Sequence, residues 1–340
     1  MLSVHDARTG PFVPRCRARV TATRTLSLSR VDALLILLTL IWGTNFSIVK
    51  HAFGEMDPAA FNALRLDLAS VAFLAAIAAV QRYTPNGDGR ARWQSILRTA
   101  APLTRTDWLS LAALGLVGHF CYQLGFVGGL ARSSVANSAL ILGATPVTVA
   151  LASGALGEDP VRRHHWIGIA MSLAGLYLVV GRGAEVGREA LVGDALTAMA
   201  VLCWTVYTIG GRRLMARHSP LAVTGFSMAF GAVPYTLYAL PALGRTSWGE
   251  VGWTTWVSLG YSAMFALCVS YMIWYVAVRQ IGSARTSLYS NVIPIVAMAT
   301  AWLSLDEPVG WRKLVGAASV LGGVAIARLA RKRPAIPAEE

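Results

Sequence analysis

Eleven side chains stand out as able to bind a small solute: Trp42, Asn45, Gln123, Phe126, Asn137, Trp204, Tyr207, Tyr271, Trp274, Arg285 and Tyr289. All lie inside long apolar runs. An amide or hydroxyl at such depth needs a partner or water, so polar groups gathered there predict a wet cavity. Trp42 and Trp204 lie about ten residues into their runs, deeper than an interfacial aromatic belt would put them. Asn45 and Tyr207 follow at i+3, on the same helical face. These residue types suit recognition by stacking and hydrogen bonding, and the set is poor in catalytic chemistry. The sequence has no HExxH, GxSxG or DxxD pattern, and its four cysteines show no CxxC spacing. No catalytic residue, metal site or cofactor is expected.

Two charges accompany the set. Arg65 lies about 9 Å in from its helix end at 1.5 Å per residue, within reach of outward snorkelling. Asp67 is deeper and too short to snorkel. It is expected either to form an ion pair with Arg65 or Lys50 or to act as a proton-coupling group. Arg285 is expected to snorkel to the lipid interface or to attract an anionic substrate group. Pro146 and Pro294 each free a backbone carbonyl within an apolar run, marking helix breaks that only protein or a wet cavity can satisfy.

These residues recur in pairs because the chain repeats itself. Residues 131–177 match a stretch 148 residues later: Pro146 pairs with Pro294, Gly168 with Gly316 and Gly175 with Gly323. Farther upstream the offset is 162, pairing Trp42 with Trp204 and Pro58 with Pro220. The turn acids Glu158–Asp159 return as Asp306–Glu307. They are expected to cap helices and meet Arg163 or Lys313, or to latch a gate. Two homologous halves follow, 31–181 and 192–330, flanked by a disordered basic cytoplasmic tail (1–30) and a short cytoplasmic tail (331–340).

The elements that position the residues are membrane spans. Of 340 residues, 55% are hydrophobic and 14% charged, against about 25% charged in soluble domains. Ten apolar runs of span length occur, five in each half: 32–52, 59–81, 107–130, 134–156, 164–181, 192–211, 220–243, 253–278, 283–305 and 311–329. A soluble bundle would have no polar face left for water. The net charge of +13 sits in short loops, which argues against nucleic acid as a partner. With the N-terminus inside, cytoplasmic segments hold 21 Lys and Arg and outer ones 7. Both termini are then cytoplasmic. Because five spans precede the second half, that half is inserted upside down. The fold class expected is an all-α membrane protein, ten transmembrane helices as two inverted five-helix repeats. Small residues four apart in the fifth and tenth runs, such as Gly168/Ser172 and Ser319/Gly323, read as packing faces and allow a homodimer.

The opening Trp42–Lys50, the block Asp57–Arg65, and the paired Pro146…Glu158…Gly175 and Pro294…Glu307…Gly323 blocks together resemble the EamA family of the drug/metabolite transporter superfamily, over nearly all of 31–330. The resemblance implies a bundle around a central cavity that opens alternately to each side, and movement of an amino acid, other metabolite or drug, commonly outward. It implies the lipid bilayer and a small-molecule substrate as partners, and a cytoplasmic (inner) membrane location. The sequence departs from the family pattern at Leu305–Asp306–Glu307 and at Ser227, the place equivalent to Arg65. The competing classes are a multispan membrane enzyme and a membrane receptor or scaffold.

Overall fold

The computed structural model describes residues 29–83, 94–99, 101–157, 166–168, 170–171, 174–175, 178 and 187–329. Helices and their connections account for all of these, with no strand among the described residues. Helix α1 spans Arg30–Ala52, α2 Pro58–Tyr83, α3 Arg105–Arg132 and α4 Val135–Ala155. Helix α5 spans Arg188–Leu214, α6 Pro220–Arg245 and α7 Trp253–Ile281. Helix α8 comprises Ser283–Ser287, a 3₁₀ stretch Leu288–Val292 and Ile293–Leu305. Helix α9 is Trp311–Leu329. Seven of these, α1 to α7, are long and apolar enough to cross a membrane, and Tyr289–Leu305 is a shorter apolar helix. The chain is a multi-pass membrane protein. The expected fifth span and both tails fall wholly or largely outside the described residues.

Local sequence accounts for the helix starts. Ser29 and Asp32 form a capping box at α1, and Thr104 and Asp107 form another at α3, satisfying N–H groups that the helix itself leaves unpaired. Ser219 caps α6, where Pro220 takes the first helical place and loses no hydrogen bond there. α2 begins at Pro58, and its equivalent α6 begins at Pro220; each helix has 26 residues.

The irregularities repeat as well. α3 widens into a π-helical turn at Leu116–Cys121, and α7 does the same at Ser262–Val269. α4 breaks at Gly143–Ala144 and restarts at Thr145 with Pro146 in its first turn. α8 passes through its 3₁₀ stretch and restarts at Ile293 with Pro294 in its first turn. Packing follows the same rule: α2 lies along its equivalent α6, α3 packs on α5, and α1 packs on α8 and α7. A β-carbon on Gly125 would lie 2.6 Å from the Leu196 carbonyl oxygen, so only glycine allows α3 this close to α5.

Connections at the two ends of the bundle fix helix direction. The Lys50 ammonium, at the end of α1, donates to the carbonyls of Leu130 (2.6 Å) and Ser133 (2.9 Å) at the end of α3. The loop after α5 instead meets the start of α3: Arg217 Nη1 lies 3.5 Å and His218 Nε2 3.2 Å from the Asp107 carboxylate. The C-terminal ends of α1 and α5 therefore lie at opposite ends of α3.

Candidate functional site

A cavity lies between the two halves, lined by residues from α1, α2, α3, α4, α5, α7 and α8. Trp42, Asn45, Gln123, Phe126, Trp204 and Tyr271, all expected from sequence as binding residues, lie on its wall, and so does Arg65, which was expected to snorkel or to pair with Asp67. Trp42 and Trp204 meet edge to face with ring centroids 5.5 Å apart, and Tyr271 closes on Trp204 at 5.1 Å. Such edge-to-face pairs hold the wall rigid as well as apolar. Water centres can occupy about 60 Å³, several times the ~10–15 Å³ that one water needs.

The π turns contribute directly to the wall. A π turn shifts the register of backbone hydrogen bonds and leaves carbonyls available to other donors. Trp42 Nε1 donates to the Ala266 carbonyl, within the π turn of α7, at 2.9 Å. That bond fixes the indole plane. Arg65 is supported by the same turn, since its Nη1 donates to Ser262 Oγ at 2.9 Å.

Arg65 does not snorkel. It is 1% exposed, and its guanidinium reaches inward to Asn62 Oδ1 (3.0 and 2.5 Å), Gln123 Oε1 (2.8 Å) and Ser262. Its charge also lies 5.8 Å from the Phe126 ring centroid. The expected ion pair of Asp67 with Arg65 or Lys50 is not the observed arrangement. Asp67 accepts from Thr236 Oγ1 at 2.9 and 3.0 Å, and Lys50 spends its ammonium on the α3 carbonyls. For Arg65 the reason is helical geometry: residues i and i+2 point to different sides of α2.

Other expected residues stand outside the wall. Tyr207 and Trp274 form a second row. Tyr207 packs against Gly118 and stacks on Tyr275 at 4.9 Å, and Trp274 Nε1 donates to Thr208 Oγ1 at 3.3 Å. Asn137 is half-buried in the first turns of α4, with its Oδ1 unpartnered. The Tyr289 hydroxyl donates to Asp32 and so ties α8 to the start of α1. Arg285 belongs to the first turn of α8, and its side chain lies outside the described ones. Of the turn acids, Glu158 and Asp159 lie outside the described residues. Glu307 does not meet Lys313. Its carboxylate accepts from the Val135 N–H (2.9 Å) and the Ala136 N–H (3.3 Å), capping α4 across the two halves. Asp306 turns the chain toward it in the left-handed region, at φ 50°.

Sequence reasoning missed nine described residues on the wall: Phe46, Tyr122, Leu142, Gly143, Thr145, Ala266, Leu267, Ser290 and Ile293. The repeat carried a usable signal for four of these. Leu142 and Ser290 are equivalent, as are Thr145 and Ile293, and both members of each pair line the cavity. Each pair sits at a helix break, where backbone polar groups require a wet or protein-lined surface.

Comparisons with known proteins agree in kind. The EamA-like transporter family matches residues 29–181 and 191–329. The uncharacterized transporter YyaM of Bacillus subtilis is 26% identical over 285 residues, covering 83% of this chain and 88% of that protein. A probable amino-acid metabolite efflux pump of Salmonella typhimurium is 27% identical over 316 residues, covering 88% and 95%. The counterpart of the same name in Escherichia coli is also 27% identical, over 308 residues. One solved crystal structure superposes with a TM-score of 0.63 at 21% identity, over 89% of this chain and 98% of that one, a likeness of fold.

Proposed function

Since the chain belongs to the EamA-like transporter family, we propose that it carries a small amino-acid-like metabolite or drug across the cytoplasmic membrane, outward, by alternating access. One observation carries this reading. Four repeat-equivalent pairs, Trp42/Trp204, Gln123/Tyr271, Leu142/Ser290 and Thr145/Ile293, contribute both members to one cavity wall. A site shared this way lies on the axis relating the halves, where inverted-repeat carriers bind their solute. Rocking one half against the other would expose it to each side in turn.

The same reading gives ten spans as two inverted repeats. It is supported by the two family-matched segments and by the C-terminal ends of α1 and α5 lying at opposite ends of α3. The 21-to-7 bias of basic residues supports a cytoplasmic location for both termini. Outward movement is supported by the relatives named efflux pumps.

Two measurements test the proposal. Reconstituted protein should give saturable, chemically unchanged flux of at least one small solute; its absence over a broad panel removes the carrier reading. Single cysteines placed in 182–190 should react with an impermeant thiol reagent added outside intact cells, and those in 82–106 should not. The reverse pattern would overturn the orientation.

A further inference from the structure

We propose that the cavity takes a small organic carboxylate and that the Arg65 guanidinium is the group that binds it. This rests on the carrier reading for its transport role, and on the geometry alone for the binding site.

Arginine stays protonated in proteins, and Arg65 is buried on the wall of the cavity. Its partners are Asn62, Gln123 and Ser262, through neutral oxygens in every case. It is the sole charged residue among the described wall residues. A buried cation held only by dipoles is an incomplete arrangement, because its net charge is unmatched. An anion entering the cavity would supply the missing charge.

The donor count agrees. Of the five N–H groups, the bond from Nε, the two from Nη2 and one from Nη1 are made. One Nη1 N–H remains. The Gln123 amide is a side-chain partner that can give way to a carboxylate oxygen. A planar carboxylate then meets the planar fork with two parallel bonds, the strong form of this contact. A single positive charge matches a monoanion better than a doubly charged phosphate.

A second group on the wall points to the rest of the ligand. Asn45 is 4% exposed, lines the cavity, and its Oδ1 has no partner. A buried acceptor without a donor is costly, and an N–H or ammonium on the solute would satisfy it. The Trp42, Trp204 and Tyr271 rings supply apolar faces for the remainder. Arg65 has no counterpart in the second half, where Ser227 occupies the equivalent place. The carboxylate end of the solute is therefore held by the first half.

The test is a matched series on purified wild-type protein: amino acids and short monocarboxylates, each with its primary amide, the amino acids also with their decarboxylated amines, and the aromatic members with a phosphate monoester that replaces the carboxylate. Binding is read by quenching of tryptophan fluorescence, and flux in liposomes. The acids should bind at least ten-fold tighter than their amides and amines. Arg65→Gln should remove that preference, and Arg65→Lys should keep part of it. Equal binding of acid and amide by the wild type overturns the proposal without any variant. So does preferential binding of the phosphate monoester, or an acid preference that persists in folded Arg65→Gln. Acid-selective binding without flux would leave the site standing and remove the carrier reading instead. Failure to bind any acid overturns the site itself.

Discussion

α2 and α6 occupy equivalent places and have the same length, yet their inner faces differ in chemistry. α2 presents Arg65 to the cavity. At the matching position α6 presents Ser227, whose hydroxyl donates to the Thr224 carbonyl (3.1 Å) and lies 3.3 Å from His119 Nε2. The contrast extends to the other paired positions. Gln123 of the first half faces Tyr271 of the second, and both line the cavity. The backbone obeys the repeat down to its π turns and helix breaks, while the side chains do not. A carrier needs two equivalent halves so that it can rock between two faces. It needs unlike walls to hold a solute whose two ends are chemically different. On the proposed carrier reading, symmetry serves the motion, and asymmetry serves recognition.

The most damaging way to break this contrast is to abolish it. Ser227→Arg would give both halves a buried cation. Ser227 is fully buried, beside His119 on α3. The effective penalty for burying an unpaired ion is several kcal/mol, and whole domains are stable by only about 5–15 kcal/mol. Ser227→Arg is expected to lose the folded protein, seen as an aggregated profile in detergent size-exclusion chromatography. A monodisperse, heat-stable variant would show that the inner face of α6 is wet, and the contrast with α2 would fall.

A gentler pair of variants separates wall from second row within one helix. Trp204 lines the cavity, whereas Tyr207, three residues on, is packed behind it against Gly118 and Tyr275. Trp204→Leu removes a ring from the wall. An aromatic contact is worth on the order of 1 kcal/mol beyond its buried area, so KM should rise several-fold. Tyr207→Phe leaves the wall intact, and KM should stay within about two-fold of wild type, since a factor of ten requires 1.4 kcal/mol. Liposome flux measures both. If Tyr207→Phe raises KM as much as Trp204→Leu, the second row takes part in binding.

Trp204 and Tyr207 also mark how far sequence alone reaches. Apolar run length, loop charge and the 148- and 162-residue offsets make the helical class, the pairing of positions and the depth of Trp42 and Trp204 legible. They do so because length and burial are one-dimensional properties. Which of two residues on one helical face reaches the cavity depends on helix rotation and on the neighbour. Here the π turn at Leu116–Cys121 brings Gly118 against Tyr207. Neither LVGHFC nor SAMFALCV contains a proline that would announce such a turn. The inward course of Arg65 was hidden for the same reason: a long side chain can reach lipid headgroups or Gln123, and only tertiary neighbours decide. The Asp67–Arg65 pairing, by contrast, was excluded by i+2 spacing and could have been ruled out from the sequence, whereas the Lys50 alternative, on another helix, could not.

The smallest effect sharpens a second contrast, between the junctions at the two ends of the bundle. At one, the loop after α1 supplies an acid: Glu55 Oε2 accepts from Thr255 Oγ1 (2.7 Å) and the Gly252 N–H (2.9 Å) at the start of α7. At the other, the loop after α5 supplies Arg217 and His218 to Asp107 at the start of α3. The first junction thus rests on a carboxylate lent by a neighbouring loop to cap a helix, and the second on one that already caps its own helix with Thr104 and also meets the Arg217 cation. The Thr255 hydroxyl, then the Gly252 N–H, hold the Glu55 carboxyl below its ordinary value of 4.5, with a further push from His51. A depressed folded-state value means that the charged form is favoured in the folded protein. The stabilisation is complete above the ordinary glutamate value and is lost as pH falls through the lower, folded one. Glu55→Gln should therefore lower Tm slightly near neutral pH, and the gap from wild type should close in acid. Glu55 is exposed to solvent, so the shift should be small, as for other exposed charged groups. Scanning calorimetry in detergent over a pH series measures it. A gap that stays constant down to the lowest pH would mean that Glu55 acts through its shape rather than its charge, and the two junctions would then differ less than their residues suggest.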